Sequence, residues 1–343
     1  MVHTERSASP PPTTGTPALH IENLSVAFNG NPPTVEDVTL TVMPGQVLAV
    51  VGESGCGKSV TSFATMGLLP DNSEIVSGRV ELSGHGDLTT LDNKELRKIQ
   101  GGEIAMIFQE PMTSLNPMMS VGSQVAEAIR THRGTSRVEA KKASISLLDT
   151  VGIRNAAQVY TSYPHELSGG MRQRVMIAMA VSCHPKVLIA DEPTTALDVS
   201  IQAQILDLIR NLQSQNGMAV LLITHDLGVV AEMADRVAVM YAGQVVEETD
   251  VFTLFRRPQH PYTRALLHAL PNLTGPRDDL QVIPGNVPSA GNMPTGCRFA
   301  PRCHQALQKC HDEPPTIVTH SAGWARCWLP TPQLAPVEVA AHV

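Results

Sequence analysis

Apolar and polar positions follow two rhythms along this chain, and the changes between them outline its elements. Ala18 to Phe28 alternates apolar and polar residues, the period of a half-buried strand, and the Asn29-Gly30 pair behind it is a turn. A second strand is expected near Val38 to Val42, before the turn at Pro44-Gly45. The run Gln46-Val47-Leu48-Ala49-Val50-Val51 drops the alternation and reads as a parallel strand covered on both faces. Lys58 to Leu69 then reads as a helix stopped by Pro70. Gly78 to Leu82 and Ile104 to Phe108 are expected strands, with a polar loop and a short helix at Asn93 to Gln100 between them. From Pro111 to about Pro164 the pattern turns helical, notably over Ser123 to Arg130 and Ser136 to Val151. Apolar helices are expected at Val175 to Ser182, Ser200 to Gln213 and Thr263 to Leu270, and buried strands at Val187 to Ala190 and Ala219 to Thr224. The sum is an α/β frame carrying a helical insertion.

Composition narrows the class. The chain has 343 residues, which suggests about two domains, and 42% of them are hydrophobic, enough for a proper core. A net charge of −7 counts against a dominant nucleic-acid or anionic-membrane surface, so no nucleic-acid partner is expected. No apolar stretch approaches the ~20 residues of a membrane span. Residues 1–17 are rich in Pro, Ser and Thr without the apolar core of a secretory leader, and read as a disordered tail on a cytosolic chain. Work at a membrane would require docking onto something that spans it.

The candidate chemistry gathers at strand ends. Gly52-Glu53-Ser54-Gly55-Cys56-Gly57-Lys58-Ser59 lies between the apolar strand and its helix and fits G-x-x-x-x-G-K-[ST], the loop whose backbone N–H groups cradle nucleotide phosphates. Gln109 follows directly on the strand that ends at Phe108. Leu167-Ser168-Gly169-Gly170-Met171-Arg172-Gln173 sets a hydroxyl and paired glycines before a helix, which suits an anion but is also an ordinary helix cap. Asp191 and Glu192 close a wholly apolar strand, where open α/β sheets bind ligands. There Asp191 can hold Mg²⁺ through water and Glu192 can orient or deprotonate an attacking water. His225 is the third polar group delivered to the same edge. Phe28 belongs to the 3% of residues that are aromatic, and is either core or a stacking surface for an adenine ring.

In this order, the motifs resemble the ATP-binding subunit of an ABC transporter. The Walker A loop is Gly52 to Ser59, Gln109 is the Q-loop residue, Leu167 to Gln173 the signature, Val187 to Asp191 Walker B with Glu192 behind it, Ala196-Leu197-Asp198 the D-loop and His225 the switch histidine. Met106-Ile107-Phe108-Gln109-Glu110-Pro111-Met112-Thr113-Ser114-Leu115-Asn116-Pro117, His260-Pro261-Tyr262-Thr263 and Gly296-Cys297-Arg298-Phe299-Ala300-Pro301-Arg302-Cys303 resemble the dipeptide/oligopeptide importer branch, which also takes nickel complexes and some sugars.

The resemblance implies a P-loop NTPase (RecA-like) ABC nucleotide-binding domain over residues 18–255. It would carry an antiparallel β subdomain, a helical subdomain at about 111–165, and a C-terminal extension over 256–343. Its activity would be ATP hydrolysis powering uptake of dipeptides or oligopeptides across the cytoplasmic membrane. The alternatives are an importer ATPase for nickel or another small solute, and a non-transport ABC ATPase. ATP would be bound by Phe28, by Gly52, Glu53, Ser54, Gly55, Cys56, Gly57, Lys58, Ser59 and Val60, and by Ser168, Gly169, Gly170, Gln173 and Asp198. Mg²⁺ would be held through Ser59, Gln109 and Asp191, and catalysis would fall to Glu192, His225, Gln109 and Lys58. The implied partners are a second, non-identical ABC ATPase subunit, two transmembrane permease subunits and an extracytoplasmic substrate-binding protein. The chain would sit peripherally on the cytoplasmic face of the inner membrane, with Gln109 to Val121 at the base of the groove that receives the permease.

Four of the six cysteines crowd the last fifty residues. Cys297, Cys303, Cys310 and Cys327 run C-x5-C-x6-C-x16-C, unlike the tight C-x2-C pairs of a zinc ribbon. Four thiolates with no necessary histidine suit a [4Fe–4S] cluster, and the resemblance points the same way. His304 and His311, each directly after a cysteine, keep a mixed zinc site open, and free buried thiols are the remaining alternative. The role expected of such a site is structural, tying down a tail with little core of its own.

Overall fold

The computed structural model describes residues 15–110, 114–195, 197–269 and 283–329. Most of the expected disordered tail, Pro111 to Thr113 in the branch motif, Ala196 of the D-loop and the last fourteen positions lie outside the described residues.

Twelve strands are described: β1 (Leu19–Phe28), β2 (Val35–Val42), β3 (Val47–Val51), β4 (Ser73–Leu82), β5 (Gly86–Asp87), β6 (Ile104–Ile107), β7 (Val187–Asp191), β8 (Ala219–Thr224), β9 (Arg236–Tyr241), β10 (Gln244–Asp250), β11 (Ile317–His320) and β12 (Gly323–Arg326). They form two sheets, one ordered β2-β1-β4-β5 and the other β11-β12-β10-β9-β3-β8-β7-β6. In the first, β1 is antiparallel to β2 and to β4. Leu19 and Ile21 are buried, then Leu24 and Val26, because a register shift between Ile21 and Leu24 accommodates Asn23 at φ 48° and restores the inward face.

In the second sheet β3 is parallel to β8 and β9, and β7 to β6 and β8. Every residue of β3, β6, β7 and β8 is buried, as strands covered on both faces must be. One apolar cluster joins this sheet to helices Val121–Arg133, Arg137–Thr150 and Gly169–Val181; a second joins its other face to the antiparallel sheet.

Several boundaries differ from the sequence reading for local reasons. The helix after the phosphate loop is Lys58–Met66 and ends at Gly67, not Pro70. Gly67 takes φ 64°, so its N–H reaches Ala64 O and the next N–H reaches Phe63 O at 2.8 Å. The strand expected from Gly78 begins at Ser73, because pairing with β1 continues as far as Phe28. The helix expected from Val175 begins at Gly169, capped by the Ser168 hydroxyl, which accepts from Met171 N at 3.4 Å. The helix expected at Thr263 to Leu270 is Pro261–His268; His260 Nδ1 caps it by accepting from Tyr262 N, and proline takes its first position.

The C-terminal extension is built into the main sheet. Glu247 and Glu248 of β10 pair with Ala325 and Trp324 of β12, and β11 pairs with β12. A third apolar cluster joins Val51 and Tyr241 to Tyr262 and Phe299. Its apolar residues complete a core begun by the frame rather than forming a separate one.

Candidate nucleotide site

Sheet register brings the candidate groups together. Val51 faces Thr224 across β3 and β8, Asp191 faces Ile223, and Ile107 faces Ala190, so four strands finish at one edge. The phosphate loop and His225 follow directly from those ends, Asp191 closes β7 with Glu192 behind it, and Gln109 lies two residues past β6.

The loop is shaped by close approach. A Cβ on Gly52 would lie 2.1 Å from Met240 O, and one on Gly57, at φ 104°, would press on Val35 and Met240. No side chain caps the helix that starts at Lys58, which leaves its first N–H groups to an anion. Lys58 is buried, and its Nζ donates to Gly52 O at 2.8 Å and Glu53 O at 3.0 Å. Ser54 and Gly55 are exposed, Cys56 and Gly57 buried, and Val60 packs on the core of the antiparallel sheet. Phe28 is half-buried against that same core, with the rest of its surface exposed.

Ser59, Gln109 and Asp191 line one cavity. Asp191 is 1% exposed, and its Oδ1 has no hydrogen-bond partner, an oxygen suited to a hydrated cation. Its Oδ2 accepts from Ser62 Oγ at 3.5 Å. Burial pushes the Asp191 carboxyl up, the neighbouring Glu192 adds to this, and the Ser59 hydroxyl and the Lys58 charge oppose it. These residues fit Mg²⁺.

Glu192 is the hub. Its Oε2 accepts from Gln109 Nε2 at 3.0 Å and from Thr195 Oγ1 at 2.8 Å, and its Oε1 pairs with His225 Nδ1 at 3.1 Å. Burial works to raise its carboxyl, but the Thr195 hydroxyl, His225 and Lys58 outweigh it and hold the group below the usual carboxylate range. Its φ of 47° is left-handed, rare for a residue with a side chain, and is locked by a bond from its N–H to Ile223 O at 2.8 Å.

The signature lies apart from this hub. Ser168 and Gly169 are exposed at their helix start. Gln173 is buried, and its Nε2 donates to Pro193 O at 2.6 Å, so its side chain ties the signature helix to the segment after Glu192 rather than meeting the phosphate loop. Asp198 is exposed at the start of helix Val199–Asn216 and makes no side-chain cap bond.

Comparison with known proteins decides the identity. Residues 35–195 match the family "ABC transporter", and residues 246–310 match "Oligopeptide/dipeptide transporter, C-terminal region". The chain is 50% identical over 316 residues to the oligopeptide transport ATP-binding protein AppD of Bacillus subtilis (strain 168), covering 91% of this chain and 96% of that one. It belongs to the ABC transporter ATP-binding proteins. A second relative, the dipeptide transport ATP-binding protein DppD of Escherichia coli (strain K12), is 49% identical over 302 residues, covering 87% of this chain and 92% of that protein. Among solved structures, the dimeric ATP-binding cassette MJ0796 in a post-hydrolysis state with ADP and Pi matches at TM-score 0.61 and 27% identity, covering 68% of this chain and 98% of that one.

In this ABC ATPase the four late cysteines, 30 residues apart from first to last, line one cavity together with His260, Phe299 and Trp328. All four are free thiols. Burial pushes Cys327 up to about 11, with the other three sulfurs adding to the rise, so four thiolates would need a cation's charge to coexist there. Among the described residues, no group of three or more His, Cys, Asp or Glu side chains is arranged to hold a metal ion. His304 and His311 do not line the cavity.

Thr195 and Ser62, which hold Glu192 and Asp191, were not singled out from sequence. A lone threonine or serine near a motif carries no signal until the fold closes the contact.

Proposed function

We propose that this chain is the ATP-hydrolysing subunit of an importer for dipeptides or oligopeptides, working peripherally at the cytoplasmic face of the membrane. The observation that carries the cargo class is the match of residues 246–310 to the oligopeptide/dipeptide transporter C-terminal region, supported by relatives of that name at about half identity. Among the described residues no helix is long and apolar enough to cross a membrane, so the subunit would act through two permease subunits and a substrate-binding protein.

The residue roles follow from the geometry. Loop N–H groups and Lys58 would bind the β- and γ-phosphates; Ser59 and Asp191, with Gln109, would hold Mg²⁺, which neutralises phosphate charge when bound. Ionised Glu192 would orient or deprotonate the attacking water, with His225 and Gln109 fixing its two oxygens. Exposed Ser168 and Gly169, with half-buried Gly170, would complete the site of a second ATPase subunit, as a dimeric solved cassette suggests. Phe28 would offer its exposed surface to adenine.

Cys297, Cys303, Cys310 and Cys327 would hold a [4Fe–4S] cluster with a structural role. The reading is supported by the four sulfurs lining one cavity, since cubane clusters take Cys₄ ligation. Iron and sulfide analysis of anaerobically purified chain tests this, and colourless protein with one zinc per chain would refute it.

The transport reading is tested by reconstituting the complex with its permeases and binding protein in liposomes. ATP-dependent uptake of dipeptides or oligopeptides is expected; uptake of a nickel complex alone, or ATPase activity indifferent to the loaded binding protein, would overturn it.

A further inference from the structure

Glu53 occupies a position that the phosphate-loop pattern leaves open, yet all three of its polar groups are engaged. Its carbonyl accepts from Lys58 Nζ at 3.0 Å. Its N–H donates to Tyr262 Oη at 2.9 Å. Its carboxylate accepts a forked pair from Arg302, Nη1 to Oε2 at 2.7 Å and Nη2 to Oε1 at 3.0 Å. Two of these three contacts come from the C-terminal extension, more than two hundred residues away in sequence.

The two extension residues are themselves fixed. The Arg302 side chain is only 5% exposed, its guanidinium lies 5.7 Å from the centre of the Tyr241 ring, and it donates to Pro284 O and Ile283 O. Tyr262 is fully buried, with ring centres 4.6 Å from Tyr241 and 5.4 Å from Phe299. Arg302 directly precedes Cys303, so the forked ion pair is anchored on the cysteine-bearing segment. Ser54 and Gly55, by contrast, are exposed, and a Cβ on Gly55 would meet nothing within 4 Å. The exposed tip of the phosphate loop therefore gains its rigidity from its ends, and one end is held by the extension.

We propose that Arg302 and Tyr262 are positioning residues for the phosphate loop, so that ATP affinity depends on the extension through Glu53. A loop that binds phosphate by backbone N–H groups gains affinity when their directions are set before the ligand arrives. A part-buried, forked arginine–carboxylate pair fixes direction as well as distance. Lys58 lies within the same constraint, because it donates to the Glu53 carbonyl. The proposal rests on ATP binding at Gly52 to Ser59 and is independent of what the cysteines hold.

The test uses the full chain for nucleotide binding by calorimetry and the assembled transporter for kinetics. Arg302→Met should weaken ATP binding and raise KM about tenfold while kcat changes by less than about twofold, with Arg302→Lys recovering part of the loss. Tyr262→Phe, which removes only the hydroxyl, should weaken binding about threefold. Glu53→Ala leaves the extension's own residues untouched and should reproduce the Arg302→Met loss, and the double variant should be no worse than either single one. Unchanged affinity in folded Arg302→Met protein would overturn the proposal. So would normal affinity in Glu53→Ala, or a double-variant loss equal to the product of the single losses, since Arg302 would then act only by keeping the extension folded.

Discussion

Gln109 Nε2 donates to Glu192 Oε2 across 3.0 Å, linking a residue two past the end of β6 to the residue after β7. The bond joins the segment that leads into the helical insertion to the carboxylate proposed to activate water. A shift of that segment therefore reaches the chemistry through one side chain, without moving the sheet.

Glu192→Gln should leave ATP affinity nearly unchanged and reduce hydrolysis about 10²- to 10⁴-fold, the usual loss when a general base is removed. The amide keeps the size of the side chain, but it cannot take a proton from water. Single-turnover hydrolysis alongside nucleotide binding measures both. Wild-type turnover would remove Glu192 from this role.

Thr195→Val removes a hydroxyl that donates to Glu192 Oε2 at 2.8 Å and helps hold the carboxyl below its ordinary range. Without it the carboxyl protonates at higher pH, so the acid limb of the kcat profile should move upward. At neutral pH the loss of kcat should be only a few-fold. A pH profile superimposable on that of the wild type would count against the contact.

Glu247 is fully buried on β10, where its oxygens accept from the N–H groups of Gln259 and His260, both at 2.8 Å. Burial pushes its carboxyl up to about 7 from an ordinary 4.5, although the Thr263 hydroxyl, those N–H groups and Arg264 pull it down. Between these two values the folded chain binds a proton that the unfolded chain does not. This group's contribution to stability therefore grows as pH falls through 7 and is lost as pH rises. From pH 8 to pH 6 the gain is about 1 kcal/mol. Thermal unfolding of wild type and Glu247→Gln at both values isolates it, because other titrations cancel in the difference. A difference that does not vary with pH would be the contrary result.

Gly323→Ala should loosen the extension. An added Cβ would lie 1.9 Å from Glu248 O, on the strand that β12 pairs with. The expected cost is about 1–3 kcal/mol, from overpacking against backbone, with faster proteolysis beyond β10. A cleavage pattern and Tm equal to wild type would show that the pairing tolerates the shift.

The candidate site was largely legible in sequence because its chemistry is local. A phosphate loop needs glycines and a lysine at fixed spacing, and a carboxylate pair after a wholly apolar strand lies at a sheet edge whichever strands flank it. Asp191, Glu192, Gln109 and His225 could therefore be named before any contact was known. Their mutual bonds could not, since β6, β7 and β8 become neighbours only through pairing between distant segments. Thr195 and Ser62 were missed for the same reason.

The sequence by itself determined the α/β frame, the strand-end chemistry and the clustering of four cysteines near the end of the chain. Periodicity and short-range spacing carry that information, since burial on one face or two dictates which residues are apolar. Only the tertiary structure decided that the extension continues the main sheet, that Tyr262 and Arg302 reach the phosphate loop, and that Gln173 turns toward Pro193. An ion pair between Glu53 and Arg302 leaves no periodic trace in either segment. It exists because the fold brings two otherwise unremarkable positions within hydrogen-bond distance in a part-buried place, where a charge gains from a partner.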